Sequence, residues 1–169
     1  ISDATINGNW IFNGASSNRG LIATNSTINA PTFDVNGFVY NTVNVAGNLN
    51  TDAVLSNTNI TNLTFTNPSS TSAIGINGSN NIIETLDYKG SGGIYGTSNT
   101  INTLIFFPGK VYTLNSGTNN TITGEWYGSG SPCFLTEIKS SGAAAATITK
   151  TSGEVDFDYV RLTRIVATG

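Results

Sequence analysis

Apolar residues recur along this chain in one short phrase: Ile, two polar positions, Leu, one further position, then an aromatic ring. The clearest copies are Ile60 with Leu63 and Phe65, Ile83 with Leu86 and Tyr88, and Ile101 with Leu104 and Phe106. Weaker copies open at Ile28 (with Pro31 and Phe33) and Ile122 (with Glu125 and Tyr127), and a degenerate first copy at Ile6 (with Asn9 and Ile11). The steps from Ile6 to Ile28, Ile60 to Ile83, Ile83 to Ile101 and Ile101 to Ile122 are similar, whereas the step from Ile28 to Ile60 is longer. That long interval holds the segment Phe38 to Leu55, either one long coil or an additional, poorly matched one. A self-similar period of roughly 20 residues predicts a solenoid, in which each repeat buries its apolar face only by stacking on its neighbours.

Each copy is preceded by small polar residues: Asn57, Thr58 and Asn59; Ser79, Asn80 and Asn81; Ser98, Asn99 and Thr100; Asn119, Asn120 and Thr121. Asn tolerates left-handed backbone angles and bonds neighbouring amides, so these segments read as corners that can stack into ladders. Each copy is followed by a turn (Asn67-Pro68, Gly90 to Gly93, Pro108-Gly109, Gly128 to Gly130) and a second short apolar strand (Ile74 to Ile76, Ile94-Tyr95, Val111 to Leu114). One coil therefore reads corner, strand, turn, strand. Side chains alternate faces along a strand, which assigns Ile60, Leu63, Phe65, Ile83, Leu86, Tyr88, Ile101, Leu104, Phe106, Ile122 and Tyr127 to a common interior column. The expected fold is all-β, a right-handed parallel β-helix of roughly 20 residues per coil. The right hand follows from the general chirality of parallel crossovers. Only the run Ala143 to Ala146 favours helix, and it is too short to hold one. A β-sandwich is the alternative, because it too has short strands and Gly-rich turns at regular spacing.

Composition narrows the function. Only 10% of residues are charged, while Asn alone takes 23 positions. The 38% hydrophobic content, mostly β-branched and aromatic, separates the chain from disordered polar sequences. The seven Lys and Arg are scattered and the net charge is -3, so no basic stripe exists to meet nucleic acid. No apolar run is long enough for a membrane-spanning helix. There is no His, which removes Ser-His-Asp triads, Cys-His dyads and most zinc sites. The single Cys133, flanked by Pro132 and Phe134, reads as a buried structural thiol and rules out an internal disulfide framework.

The tail carries a resemblance. Ala146-Thr-Ile148-Thr-Lys150-Thr-Ser-Gly153, the stretch Val155 to Tyr159 and the closing Ala167-Thr168-Gly169 are similar to a segment common in large secreted β-helix proteins of Bacteroidota. The resemblance is specific over the tail from Ile138 to Gly169 and extends to the upstream Asn/Thr-rich coils in style. It implies a right-handed β-helix in a secreted or cell-surface, adhesin-like or polysaccharide-handling protein, exported as type IX secretion cargo, with the secretion machinery or surface components as partners. On this reading residues 1–169 form one β-helix segment of a longer solenoid, with more coils expected beyond Gly169.

Ten acidic residues are the only catalytic material. Paired carboxylates suit glycoside hydrolysis, and Asp87 and Glu125, each beside an aromatic residue, are the candidate pair, against simple solvated positions. Glu154, Asp156 and Asp158 alternate with Val155, Phe157 and Tyr159, which puts three carboxylates on one strand face. A Ca2+ site there competes with an outward acidic row balanced by Arg161 and Arg164. The β-helix polysaccharide lyases, by contrast, combine clustered calcium-binding acids with a catalytic Arg or Lys, and no such cluster is visible. Trp10, Trp126 and Tyr127, with Tyr95 and Tyr112, are candidate sugar-stacking platforms. Trp10 and Trp126 share one slot of the repeat, flanked by inward positions, so their rings are candidates for outward exposure, against core or corner packing. Outward Thr61, Thr64, Asn102 and Thr123 could order water, although irregular coil lengths argue against the flat face this needs. The reading these residues favour is a non-enzymatic structural or adhesive rod that presents or binds surface glycans or partners. The alternative is a β-helix polysaccharide lyase or glycoside hydrolase.

Overall fold

The computed structural model describes residues 5–7, 10–11, 22–30, 33–36, 39–45, 53–70 and 75–169, with side chains described from residue 39 onward except Val54. Each coil gives strands to two sheets. The first sheet takes β1 (Thr5–Asn7), β3 (Ile22–Ala30), β5 (Val39–Val45), β7 (Asn59–Phe65), β9 (Ile82–Tyr88), β11 (Thr100–Phe106), β13 (Asn119–Ile122), β14 (Trp126–Tyr127), β16 (Ala146–Lys150), β17 (Val155–Asp156) and β19 (Ile165–Thr168). The second takes β2 (Trp10–Ile11), β4 (Phe33–Asn36), β6 (Ala53–Ser56), β8 (Gly75–Asn77), β10 (Gly92–Ile94), β12 (Val111–Leu114), β15 (Thr136–Ser140) and β18 (Val160–Thr163). Spatial order follows chain order in both sheets. The pairings between successive coils are parallel. The fold is a parallel β-solenoid, and the sandwich alternative, built on antiparallel pairs, falls away. The run Ala143 to Ala146 is a bend leading into β16 rather than a helix.

The repeated phrase stacks in register. Ile60, Ile83, Ile101 and Ile122 form one row; Leu63, Leu86 and Leu104 a second; Phe65, Tyr88 and Phe106 a third. All ten are buried. The segment inside the long interval is a coil of its own, since Tyr40, Val43 and Val45 of β5 stack on Ile60, Leu63 and Phe65. Successive coils then open at Tyr40, Ile60, Ile83, Ile101 and Ile122, and the spacing becomes nearly even. The weak copies at Ile28 and Ile6 are out of phase with this scheme. Ile6 and Ile28 align with Val43, hence with the Leu63 row, while Phe33 crosses to the second sheet and pairs with Trp10. β3 ends at Ala30, directly before Pro31, which has no N–H to give to a ladder. Ile74, assigned to the second strand of its coil, lies outside the described residues.

Between the sheets the rings form a continuous stack. Phe65 lies on Tyr88 at 4.7 Å, and Phe106 on Tyr112 at 3.7 Å, both nearly parallel. Tyr88 meets Tyr112 edge-on at 5.7 Å. Tyr112 has room because Gly92 holds its register position in the coil before. Coil length varies while β5, β7, β9 and β11 stay in register along their length, whereas the β3–β5 pairing slips between Ala23 and Thr27.

The polar corner forms the predicted ladder. Asn57, Asn80 and Ser98 adopt left-handed φ of 55°, 59° and 58°. Each is followed by a fully buried polar residue, Thr58, Asn81 or Asn99, with Asn120 continuing the row. The Asn81 backbone N–H and Nδ2 both donate to Asn99 Oδ1, at 3.1 and 2.8 Å. Asn99 donates in the same way to Asn120 Oδ1, at 3.0 and 2.9 Å. The second amide hydrogens reach main-chain carbonyls, Leu55 O from Asn81 and Gly96 O from Asn120. The backbones also come very close here, since a Cβ on Gly96 would lie 1.4 Å from Gly78 O. At the next level Ile148 occupies the Asn120 position, and the ladder gives way to apolar packing.

Truncating a middle rung leaves its neighbours without partners. Asn99→Ala should lower unfolding stability by about 2–4 kcal/mol, because buried donors of Asn81 lose their acceptor. Asn59→Ala, on the exposed outer surface, should change it by less than about 0.5 kcal/mol. Urea denaturation of the two variants checks this, and equal effects would contradict the ladder.

Candidate functional site

One inserted residue decides which aromatic side chains face solvent. In β11, Leu104 follows Ile101 by three positions; in the following coil, their partners Ile122 and Trp126 are four positions apart. The extra residue falls in the loop Thr123 to Glu125, where Gly124 packs against Asn102. Strand side chains alternate faces, so a one-residue slip exchanges inside and outside. Trp126 therefore takes the Leu row and is buried at 3% exposure, while Tyr127, assigned above to the core, is turned out at 40%. Of the two placements open for Trp126, outward exposure and core packing, the structure shows core packing. Its indole meets Phe106 at 6.1 Å and Phe157 at 4.7 Å, both edge-on. Its buried Nε1 has no acceptor among the described residues. Trp10 lies on β2 in the second sheet, not in the Trp126 slot, and its side chain lies outside the described residues. Tyr112 is fully buried, and Tyr95 is half-buried.

The same register assembles an outward row from five strands of the first sheet: Thr64, Asp87, Ile105, Tyr127 and Asp156. Three residues notable in the sequence for different reasons, Asp87, Tyr127 and Asp156, thus share one line along the solenoid. Asp87 pairs with Lys89 at 2.5 Å, and its side chain is 16% exposed. Its Oδ1 is buried with no hydrogen-bond partner among the described residues. Asp156 Oδ1 accepts from the Ser129 hydroxyl at 2.9 Å. Ile105 carries no chemistry that would mark it in the sequence, and Thr64 was marked there only as a water-ordering candidate. The number of positions between Ile122 and Trp126 is the one signal that could have aligned this row.

Glu125 does not join Asp87. Asp87 lies in β9, whereas Glu125 ends the loop before β14, two strands away and two residues off the row, roughly 12 Å between Cα atoms. Its carboxylate accepts from Glu154 N at 2.9 Å on the opposite side, away from Asp87. The pair does not face a common groove. Glu154, Asp156 and Asp158 are exposed, and the expected strand alternation stops early: β17 covers only Val155–Asp156, and Tyr159 has φ 54°. Phe157 packs inward on Trp126, whereas Val155 and Tyr159 are exposed. Asp158 and Glu154 enter local hydrogen bonds through their backbones. Among the described residues no group of three or more His, Cys, Asp or Glu could hold a metal ion.

Cys133 is exposed, not buried as its flanks suggested. Reciprocal bonds between Ser131 and Phe134 close a tight turn that pushes Cys133 and Phe134 outward. Of the water-ordering candidates, Thr61, Asn102 and Thr123 share a row with Glu84, and Thr64 belongs to another. Asn102 donates to Glu84 at 2.6 Å and accepts from Thr123 at 3.3 Å, so side-chain bonds already occupy part of that row. Among the described residues no helix is long and apolar enough to cross a membrane. No known protein family, curated protein or solved structure matches the chain.

Behind the row, the Tyr112 hydroxyl accepts from Phe107 N at 2.6 Å and donates to Gly90 O at 3.0 Å. Burial pushes its phenol pKa up, the Phe107 bond offsets part of this, and the Asp87 charge adds to the rise.

Trp126→Ala should cost about 2–4 kcal/mol by opening the ring stack, the loss being softened by removal of the orphaned Nε1. Tyr127→Ala should cost less than about 1 kcal/mol. Chemical denaturation separates them, and comparable losses would place both rings inside. For Tyr112, the folded phenol lies above its unfolded value of 10.0, so its contribution is intact below that pH and declines as pH rises past it. The urea midpoint should therefore fall above about pH 10, and Tyr112→Phe should flatten that decline while lowering stability at neutral pH by about 1–3 kcal/mol.

Proposed function

We propose that this chain is a non-catalytic structural and adhesive segment: a stiff rod of a secreted or cell-surface bacterial protein that presents, or itself binds, surface glycans or other surface partners. The observation that carries the reading is the register itself. From β5 through β11 each coil keeps the same strand alignment while the turns vary, which gives a continuous hydrogen-bonded ladder around an apolar core. Such a ladder resists local opening, because each strand is held from above and below. A rod of this kind projects its outer surface without needing a reaction centre. The chain is rich in Thr and Asn and only 10% charged, which suits contact with hydroxylated, uncharged partners. The candidate carboxylates support the same reading, since the Glu125 carboxylate is engaged by Glu154 N on the side away from Asp87. Secretion, and the type IX route in particular, rests on the resemblance of the tail segment to Bacteroidota surface proteins.

An antibody raised against the folded chain tests the location. Intact producing cells, or their culture medium, should carry the antigen, and protease added to intact cells should diminish the cell-bound signal. Antigen detectable only after the cells are permeabilised and absent from the medium would overturn the surface reading.

A further inference from the structure

The row Thr64, Asp87, Ile105, Tyr127 and Asp156 has the composition of a ligand floor rather than of an idle outer face. Ile105 and Tyr127 put two apolar side chains side by side on the outer surface, with Tyr127 40% exposed. Tyr127 is held from within, because the residue before it, Trp126, is locked into the ring stack. Hydrogen-bonding groups lie at both ends of this floor: Thr64 beyond the Asp87–Lys89 ion pair on one side, Asp156 with Ser129 on the other. An apolar floor between carboxylate and hydroxyl acceptors matches a sugar ring, which offers an apolar face and a rim of O–H donors.

We propose that this row binds a neutral polysaccharide chain laid along the solenoid axis, with one ring on Tyr127 and hydroxyls of neighbouring rings bonding to Thr64 and Asp156. This rests on the reading of the chain as a surface rod and names its partner. The geometry favours a polymer. Successive strands are ~4.8 Å apart, about the length of one pyranose unit in an extended chain, so consecutive sugars meet consecutive coils. Charge selects a neutral one. Asp87 and Lys89 neutralise each other, Asp156 leaves one negative charge beside the floor, and the chain carries a net charge of -3, so anionic polymers and nucleic acids are disfavoured. An extended peptide is disfavoured by position: β-augmentation needs a free strand edge, whereas the row crosses strands already paired within the sheet. The row binds rather than cleaves, because Asp87 and Asp156 are three strand spacings apart, ~14 Å, beyond the separation of working carboxylate pairs.

Affinity electrophoresis of this chain through gels containing β-glucan, xylan, mannan or dextran tests the proposal, with alginate as the anionic control. At least one neutral polymer should retard the wild type, and Tyr127→Ala should weaken that retention roughly five- to tenfold while Tyr127→Phe retains most of it. Alginate should not retard the chain. No retardation by any of the four neutral polymers, or equal retention of Tyr127→Ala and wild type, overturns the proposal. Because Tyr127 is partly exposed, its variants should melt within a few degrees of wild type, which keeps the comparison free of folding defects. Failure here together with surface labelling of intact cells would leave the rod reading standing and remove only its glycan partner; binding in the gel without surface labelling would do the reverse.

Discussion

The buried amide ladder at the corner is the constraint on which the rest of the molecule depends. Asn81, Asn99 and Asn120 are sealed from water, so each must find its partners in the coils above and below. The rungs at Asn81 and Asn99 each give two donors to one acceptor on the next coil, and that requirement is met only when successive corners are level. A vertical slip would leave buried polar groups unmatched, at a cost larger than most single contacts contribute. The left-handed φ of Asn57, Asn80 and Ser98 places the following side chain inward at the same point of each turn. Once the corners are level, the Ile, Leu and aromatic rows align without further specification.

Alignment of the inside also organises the outside. Because alternate residues face opposite ways, a register that stacks Leu on Leu must stack the intervening side chains into outward rows. Most such rows here are Thr and Asn. The row through Asp87 and Tyr127 differs because a single residue, added near Gly124, brings Tyr127 out and takes Trp126 in. The burial of Trp126 is what gives Tyr127 a rigid base, so the core and the candidate binding surface are two faces of the same strand. The solenoid thereby builds one surface from residues as distant in sequence as Thr64 and Asp156.

The chain by itself determined the fold class. The phrase opening at Ile60, Ile83 and Ile101 is written in full each time, and the Asn and Ser residues before it announce the corner, because local alternation and turn chemistry are properties of neighbouring residues. It also removed histidine-based catalysis, since a missing His is a fact of composition. Phase was less legible. Ile28 and Phe33 imitate the phrase, yet they fall on different sheets, and Tyr40, Val43 and Val45 fulfil it with unlike residues. Only pairing with the neighbouring coil distinguishes these cases, because the ladder and not the residue type assigns the row.

The tertiary structure alone decided which side chains meet. Asp87 and Glu125 looked like a pair from their place in the repeat and are held apart; Asp87, Tyr127 and Asp156 looked unrelated and share one line. Cys133 had apolar neighbours and is nonetheless exposed, because a tight turn overrides the preference of its flanks. For the rows, the deciding quantity is the count of residues between coils, where one residue more or less reverses the face presented. Hydrophobic pattern is local and survives such insertions, so it was enough to specify the solenoid. The identity of an outward row depends on summing every insertion along the chain, and that sum is set only when the coils are stacked.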